Sequence, residues 1–586
     1  MLSELNSEAV EKLYSERKDF IIIGLTGRTG SGCSTVASLL SKTFEELQPT
    51  RPVNDGSNEK RQYEIIYNYS KVNWEPFKVI EMKNVIFTFV LENSLKDFND
   101  YIHINFDPIL DMSDISEEYE EMHKKRIKFL EETKKQTENG ENVPADDDIY
   151  SFYFIEVPSF FEKFKRMIIN TGNDDLYTRI LQTIGDNIRA SGNAFSNDII
   201  PENVFKLPQR VNMLIKILRR RNIKEKKKIL VVIDAFRNPF EVTFFKDRYS
   251  SFYLFSINSV DKERRERLQK INFTKAEIDK LDKKEYPNRN NLIEDYYKID
   301  IEKTIEIADV HINNKNSATR SYSYTKEQVI RYISLIMHPG LVNPTKIEFC
   351  MQIACNSKLN SGCLSRQVGA VITDRDYNIL SVGWNSAPSN QVPCNLRDLQ
   401  SLIRNDKDDK VGMSVYERTN LEFKEFLKER TKDIDFKRLS GRMCSYCFKD
   451  AYNSFKKEKN QVYTRSIHAE EMAFLQVISL GSMGVKGGCL FTTASPCELC
   501  SKKACQTGIE KIYYIDQYPG ISYEHILNCG SARPEMILFN GAIGSAYNHF
   551  YTQVLAYKDE LYMLLNLNFK KKKKLRVYKI NKEILK

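Results

Sequence analysis

His468-Ala469-Glu470 and, further along, Pro496-Cys497-Glu498-Leu499-Cys500 decide the reading of this 586-residue chain. One imidazole and two thiolates give a zinc ion three protein ligands, His468, Cys497 and Cys500, and three rather than four leave a coordination position for water. That is the arrangement of a catalytic site. Glu470 lies two residues past His468, within reach of such a water without binding the metal, so it is the candidate general acid and base. A closed zinc knuckle, or a buried histidine beside two unrelated thiols, is the competing reading. The proline before Cys497 and the glutamate after His468 weigh against it.

The flanks supply a strand-helix frame. Ala469, Met472, Ala473, Val477 and Leu480 recur at helical spacing, so His468 and Glu470 are expected to open a helix. Gly488 to Thr493 reads as a short buried strand, Cys497 opens the next helix, whose positive end favours thiolates, and Ile512-Tyr513-Tyr514-Ile515 forms a further strand. Zinc with a proton-carrying carboxylate beside it suits hydrolysis, and His-Ala-Glu followed by Pro-Cys-x-x-Cys resembles the signature of the zinc nucleobase deaminases, which implies hydrolytic deamination.

Upstream stand Ser365-Arg366-Gln367-Val368-Gly369-Ala370-Val371 and Gly383-Trp384-Asn385-Ser386-Ala387-Pro388. With the two zinc motifs, and in this order, they resemble the deoxycytidylate deaminase branch of the cytidine deaminase superfamily over about residues 345–560. The resemblance implies that Asn385 contacts the substrate sugar and that Arg366 lies near the nucleotide. The family's His-Ala-Glu usually continues x-Asn-Ala, whereas this chain has Glu471-Met472-Ala473, so the role carried by that Asn does not transfer by resemblance. Residues 389–467 form a long insert where tRNA adenosine deaminases and free cytidine deaminases have a short turn, and this favours a nucleotide substrate. Within the insert, Cys394, Cys444 and Cys447 are candidates for a second, structural zinc one ligand short of four; reduced thiols of a long loop are the alternative.

The N-terminal half holds an independent motif. Phe20 to Leu25 is an apolar strand, followed by Gly27-Arg28-Thr29-Gly30-Ser31-Gly32-Cys33-Ser34 and a helical run. A strand, glycine loop and helix make a P-loop, whose backbone amides cradle phosphates; a sharp turn without a ligand is the alternative. Cys33 stands where such loops carry lysine, so phosphate binding is favoured over phosphoryl transfer. Ser34 and Asp234, the latter ending the strand-like run Lys228 to Asp234, are candidate Mg²⁺ partners beside a nucleoside triphosphate. Arg264, Arg265 and Arg267 fit a solvated helix face better than a phosphate lid.

Together the halves resemble the two-domain antiphage deoxycytidine nucleotide deaminases of bacteria. Tyr518 to Ser522 and Phe539 to Gly544 extend the likeness. The resemblance implies action on deoxycytidine mono- and triphosphate, depletion of the nucleotide pool needed by phage, a homo-oligomer, and an inhibitory small RNA as partner. The expected architecture is α/β: a P-loop kinase-like parallel-sheet domain (15–315), a linker (316–344), a cytidine deaminase-like α/β/α domain (345–560) and a basic tail (561–586).

Composition agrees with this outline. Twelve cysteines without a disulfide pattern point to reduced thiols, and neither a leader nor an apolar run of membrane-spanning length is visible, so a soluble cytoplasmic protein is expected. The net charge of +9 is concentrated at the end: residues 570–586 hold nine Lys and Arg against Glu583. Such a tail either adds salt-dependent contact with nucleic acid or keeps a disordered end soluble. With few aromatics among those lysines, a nucleic-acid cytosine or adenosine deaminase is the lesser alternative. A regulatory nucleotide-binding protein is a third, and it leaves Glu470 without a purpose.

Overall fold

The computed structural model describes residues 2–53, 55–106, 112–138, 147–170, 175–286, 296–315, 322–404, 411–481, 484–516, 521–531 and 533–565. The basic tail beyond residue 565, residues 316–321 of the expected linker, residues 139–146 and Tyr518-Pro519-Gly520 lie outside this set.

Five strands build the N-terminal sheet: Phe20–Thr26 (β1), Lys78–Glu81 (β2), Ile229–Asp234 (β3), Phe252–Asn258 (β4) and Val310–Asn313 (β5). They pair in parallel in the order β2-β3-β1-β4-β5. Nearly continuous apolar runs in β1, β3 and β4 suit strands covered on both faces. Their side chains divide accordingly. Ile22, Val231, Ile233 and Leu254 enter one core, which they share with the helices inserted between β2 and β3, among them Met82–Val90, Val157–Asn170 and Lys206–Lys224. Ile21, Ile23, Val232 and Phe255 enter the opposite core with Val36 and Leu40 of the helix Cys33–Leu40.

The C-terminal sheet comprises Gly369–Thr373 (β6), Ile379–Trp384 (β7), Cys489–Ala494 (β8), Lys511–Asp516 (β9) and Glu535–Leu538 (β10), in the order β10-β9-β8-β6-β7. β6 runs antiparallel to β7 and β8, while β8, β9 and β10 are parallel. The helix Lys346–Ser357 covers one face through Cys350, Met351 and Ala354; Ala469–Ser479 and Glu498–Thr507 cover the other through Ala473, Phe474 and Ala504. This is the α/β/α layering expected.

The long insert is a small helical unit with its own core of Leu399, Leu402, Phe423, Leu427 and Tyr446. Arg397 and Glu417, both fully buried, are ion-paired inside it, and the Tyr446 hydroxyl donates to Glu417.

Two findings depart from the expected outline. The segment set down as linker carries the helix Ser323–Met337, whose Val329, Ile330, Ile333 and Ile336 complete the second N-terminal core. Further on, the chain returns from the C-terminal sheet: Gly541–Ala542 (β11) pairs antiparallel with β5, Gly541 opposite His311, and Ala546 and Phe550 of the following helix Gly544–Tyr551 enter the N-terminal core. Glu348, 1% exposed, ties the seam. It accepts hydrogen bonds from the Tyr332 hydroxyl (3.0 Å), the Tyr551 hydroxyl (2.8 Å) and the Ala542 backbone N–H (3.1 Å) while capping its own helix at Thr345.

Candidate active site

His468 is the N-cap of the helix Ala469–Ser479, and Cys497 is the N-cap of Glu498–Thr507. Both helices start at the same edge of the C-terminal sheet, so residues far apart in sequence converge. The Cys497 and Cys500 sulfurs lie 3.3 and 3.6 Å from His468 Nδ1, and the three ligand atoms fall within 4.8 Å of one another. Tetrahedral zinc with ordinary Zn–S and Zn–N bonds separates a sulfur from a nitrogen by about 3.5 Å; the residues fit zinc. Cys497 is pulled down to about 3, first by the hydrogen bond from Cys500 and then by His468, while the same bond and burial push Cys500 up.

Glu470, one residue into the helix, is 5% exposed, and Thr492 Oγ1 of β8 donates to its Oε1 at 3.2 Å. Burial raises its pKa above the usual carboxylate range. A carboxylate fixed beside three ligand-type side chains, and not one of their set, has the chemistry to carry a proton. Thr492 went unread in the sequence because a strand threonine carries no signal for it.

Asn385 and Arg366 lie at this same edge, already engaged. Asn385 Oδ1 accepts from the Val368 N–H (2.7 Å) and the Ser361 hydroxyl (2.8 Å), and its Nδ2 donates to the Arg366 carbonyl (2.7 Å). Its amide thus shapes the loop that leads into β6. The Arg366 guanidinium is ion-paired with Asp516 at the end of β9, and its Nη1 lies 3.5 Å from Glu302 of the helix Ile301–Glu306 in the N-terminal part. Burial lifts Asp516 to about 7 against the pull of Arg366. A lone acid closing an apolar strand was the available signal for Asp516.

Cys394, Cys444 and Cys447 are not assembled. Among the described residues, His468, Cys497 and Cys500 form the one set of three or more ligand groups close enough for a metal. Tyr446, between the two latter cysteines, is turned into the apolar core of the insert, which fixes that segment for packing.

In the N-terminal part the glycine loop leaves β1 with Gly27, Gly30 and Gly32 at φ of 155°, 84° and 108°. A Cβ at Gly32 would meet Asn314 Nδ2 at 2.1 Å, so that position requires glycine. Burial raises the Asp234 pKa while the neighbouring Ser34 hydroxyl lowers it. Cys33 is a neutral thiol, pushed up to about 12 chiefly by burial. The arginines are not a solvated face. Arg264, 1% exposed, donates to the Thr29 carbonyl and Arg267 to the Gly30 and Ser31 carbonyls, both at 3.1 Å, because the helix Asp261–Gln269 lies across the loop. Arg265 is held by Asp261, Asp279 and Asp282. Fully buried Glu285 accepts the Thr29 N–H at 3.1 Å and pairs with Arg237 at 2.6 Å. Neither residue stood out in the sequence, since each acts through a contact distant along the chain.

Among the described residues, no helix is long and apolar enough to cross a membrane.

Comparison with known proteins agrees with the site. Residues 344–516 match the family model described as the cytidine and deoxycytidylate deaminase zinc-binding region. Deoxycytidylate deaminases of Enterobacteria phages T2 and T4 are each 26% identical over 174 residues, covering 30% of this chain and 81% and 79% of those proteins. A solved structure, the dCMP deaminase of cyanophage S-TIM5 in complex with dCMP and dUMP, matches at 20% identity with a TM-score of 0.19, covering 32% of this chain and 93% of that one. The C-terminal part of the chain is a cytidine and deoxycytidylate deaminase domain, and the protein is a deaminase of the hydrolase class.

Proposed function

We propose that the protein is a zinc-dependent hydrolytic deaminase of deoxycytidine nucleotides, the mono- or triphosphate, and that its N-terminal part is a P-loop nucleotide-binding domain that regulates it. The observation that carries the reading is the His468, Cys497 and Cys500 cluster with buried Glu470 beside it. Phage relatives named deoxycytidylate deaminases support the substrate class.

His468, Cys497 and Cys500 would hold the zinc. When bound, zinc supplies Lewis-acid activation of water. Glu470, steadied by Thr492, takes a proton from the attacking water and delivers it to the departing amine, so that the ring carbon exchanges its C–N bond for a carbonyl and ammonia leaves. Arg366, the cation at the sheet edge, answers to the nucleotide's phosphate. Asn385, whose amide holds the Arg366 to Val368 turn, is proposed to contact the substrate sugar.

The regulatory reading rests on the glycine loop at the end of the central parallel strand β1, where such sheets present their ligands. Ser34 and Asp234 would hold Mg²⁺ beside a triphosphate, and Glu285 must leave the Thr29 amide when phosphate enters. Draining deoxycytidine nucleotides in defence against phage, a cytoplasmic homo-oligomer and a small RNA inhibitor complete the proposal, and the basic residues of 570–586 offer such an RNA salt-dependent contact.

Incubating the protein with deoxycytidine, dCMP, dCTP and a cytosine-containing single-stranded oligonucleotide, then weighing the products, is expected to show uracil in the nucleotides. Editing of the oligonucleotide at a rate comparable to nucleotide turnover would overturn the reading. Gly32→Val is expected to remove any rise in melting temperature on adding nucleoside triphosphate, because the new side chain strikes Asn314 at a φ unsuited to valine. An undiminished rise would show that the ligand binds elsewhere.

A further inference from the structure

We propose that Glu302, supplied by the N-terminal part of the chain, is a positioning residue of the deaminase site that sets its affinity for phosphate by holding Arg366; the inference rests on the nucleotide reading above. Asp516 pairs in register with Ala494, the last residue of β8, and the Ser495 N–H donates to the Asp516 carbonyl at 2.8 Å. Ser495-Pro496-Cys497 then runs directly to the metal-ligand cluster. The Arg366–Asp516 pair therefore lies beside the segment that carries Cys497. Only one of the two carboxylates on that guanidinium is local to the deaminase domain.

The two partners are unequal. Asp516 is 3% exposed and fixed at the end of a strand, whereas the Glu302 side chain is 30% exposed and stands 3.5 Å from Nη1. Glu302 is nonetheless held in place, because Ile301 and Ile305 of its short helix are buried with Ile299 against Tyr286. Glu306, on the next turn, stands 4.0 Å from Lys358 and adds a weaker charge interaction with Arg366. A guanidinium recognises phosphate through a planar two-point face. With Asp516 on one side, that face opens only when Glu302 withdraws, so an incoming phosphate competes with Glu302 and the competition is felt in binding. A substrate without phosphate leaves the pair intact.

The test is steady-state kinetics of the full chain and of Glu302→Gln with deoxycytidine, dCMP and dCTP, each variant checked by its melting curve. Exchange-weakened pairs of this exposure are worth about three- to fivefold in binding. Glu302→Gln is expected to lower KM for both nucleotides by about that factor, with kcat within about twofold and KM for deoxycytidine unchanged. Glu302→Asp, which keeps the charge on a shorter arm, should fall between the two. An unchanged or raised KM for nucleotides, or an equal shift for deoxycytidine, overturns the role of Glu302 and leaves it a strut between the halves. Absence of uracil product from the unaltered protein overturns the nucleotide reading as well, so the two failures are told apart.

Discussion

Glu470→Gln is expected to lower kcat by about 10²- to 10⁴-fold while the protein keeps its zinc. Glutamine has nearly the shape of glutamate and retains an oxygen for the Thr492 hydroxyl, which donates at 3.2 Å, so the buried surroundings have no reason to rearrange. What it lacks is the ability to accept a proton from water and return it to the amine. Cys497→Ala provides the contrast: it removes one of three ligands and is expected to abolish both zinc retention and turnover. Metal analysis after dialysis, run beside the kinetics, separates the two. Should Glu470→Gln lose its zinc, the carboxylate belongs among the ligands and the proton must be carried by another group.

The largest effect on stability is expected at Glu348→Ala. The substitution leaves the Tyr332 and Tyr551 hydroxyls and the Ala542 N–H, all inside the seam between the two sheets, without their common acceptor. Each buried donor so orphaned costs about 1–3 kcal/mol. Because the three share one partner the costs do not add, and a loss of about 3–5 kcal/mol is expected. Arg331, 3.6 Å from the same carboxylate, would lose its counter-charge as well. Urea unfolding followed by far-ultraviolet circular dichroism measures the loss, and hydrogen exchange at Ala542 locates it. A change below about 1 kcal/mol would mean that water enters and satisfies the donors. Glu348→Gln, which keeps one acceptor oxygen, should recover part of the difference.

The parts of the molecule legible in sequence were those in which chemistry and local structure coincide. His468 and Cys497 each cap a helix, so one short stretch specified both a ligand and the element that presents it. The glycines of the N-terminal loop likewise announced a backbone that only they adopt. What stayed hidden depended on pairing across the chain. The helix Ser323–Met337 opens with Ser323, Tyr324, Thr325 and Lys326 and so passed for linker, although Val329, Ile330, Ile333 and Ile336 further on are fully or nearly buried. Arg264 and Arg267 stand among acids in a segment that reads as solvated, and only the fold lays them across the glycine loop. Cys444 and Cys447 had the spacing of a metal site but not the convergence, since Tyr446 between them obeys the packing of the insert. Asp516 meets Arg366 from the end of β9 and Glu302 from the helix Ile301–Glu306 of the N-terminal part, a relation that no spacing encodes.

The short strand β11 alters what a cut in this chain would do. Severing the backbone between residues 315 and 322 would not free two self-sufficient proteins. The first fragment would keep β5 as a bare edge, and the second would carry Ile330, Ile333, Ala546 and Phe550 with nothing to cover them. Each piece holds what the other is missing, so the fragments should be insoluble when made separately and recover activity when made together, as complementing halves of one gene.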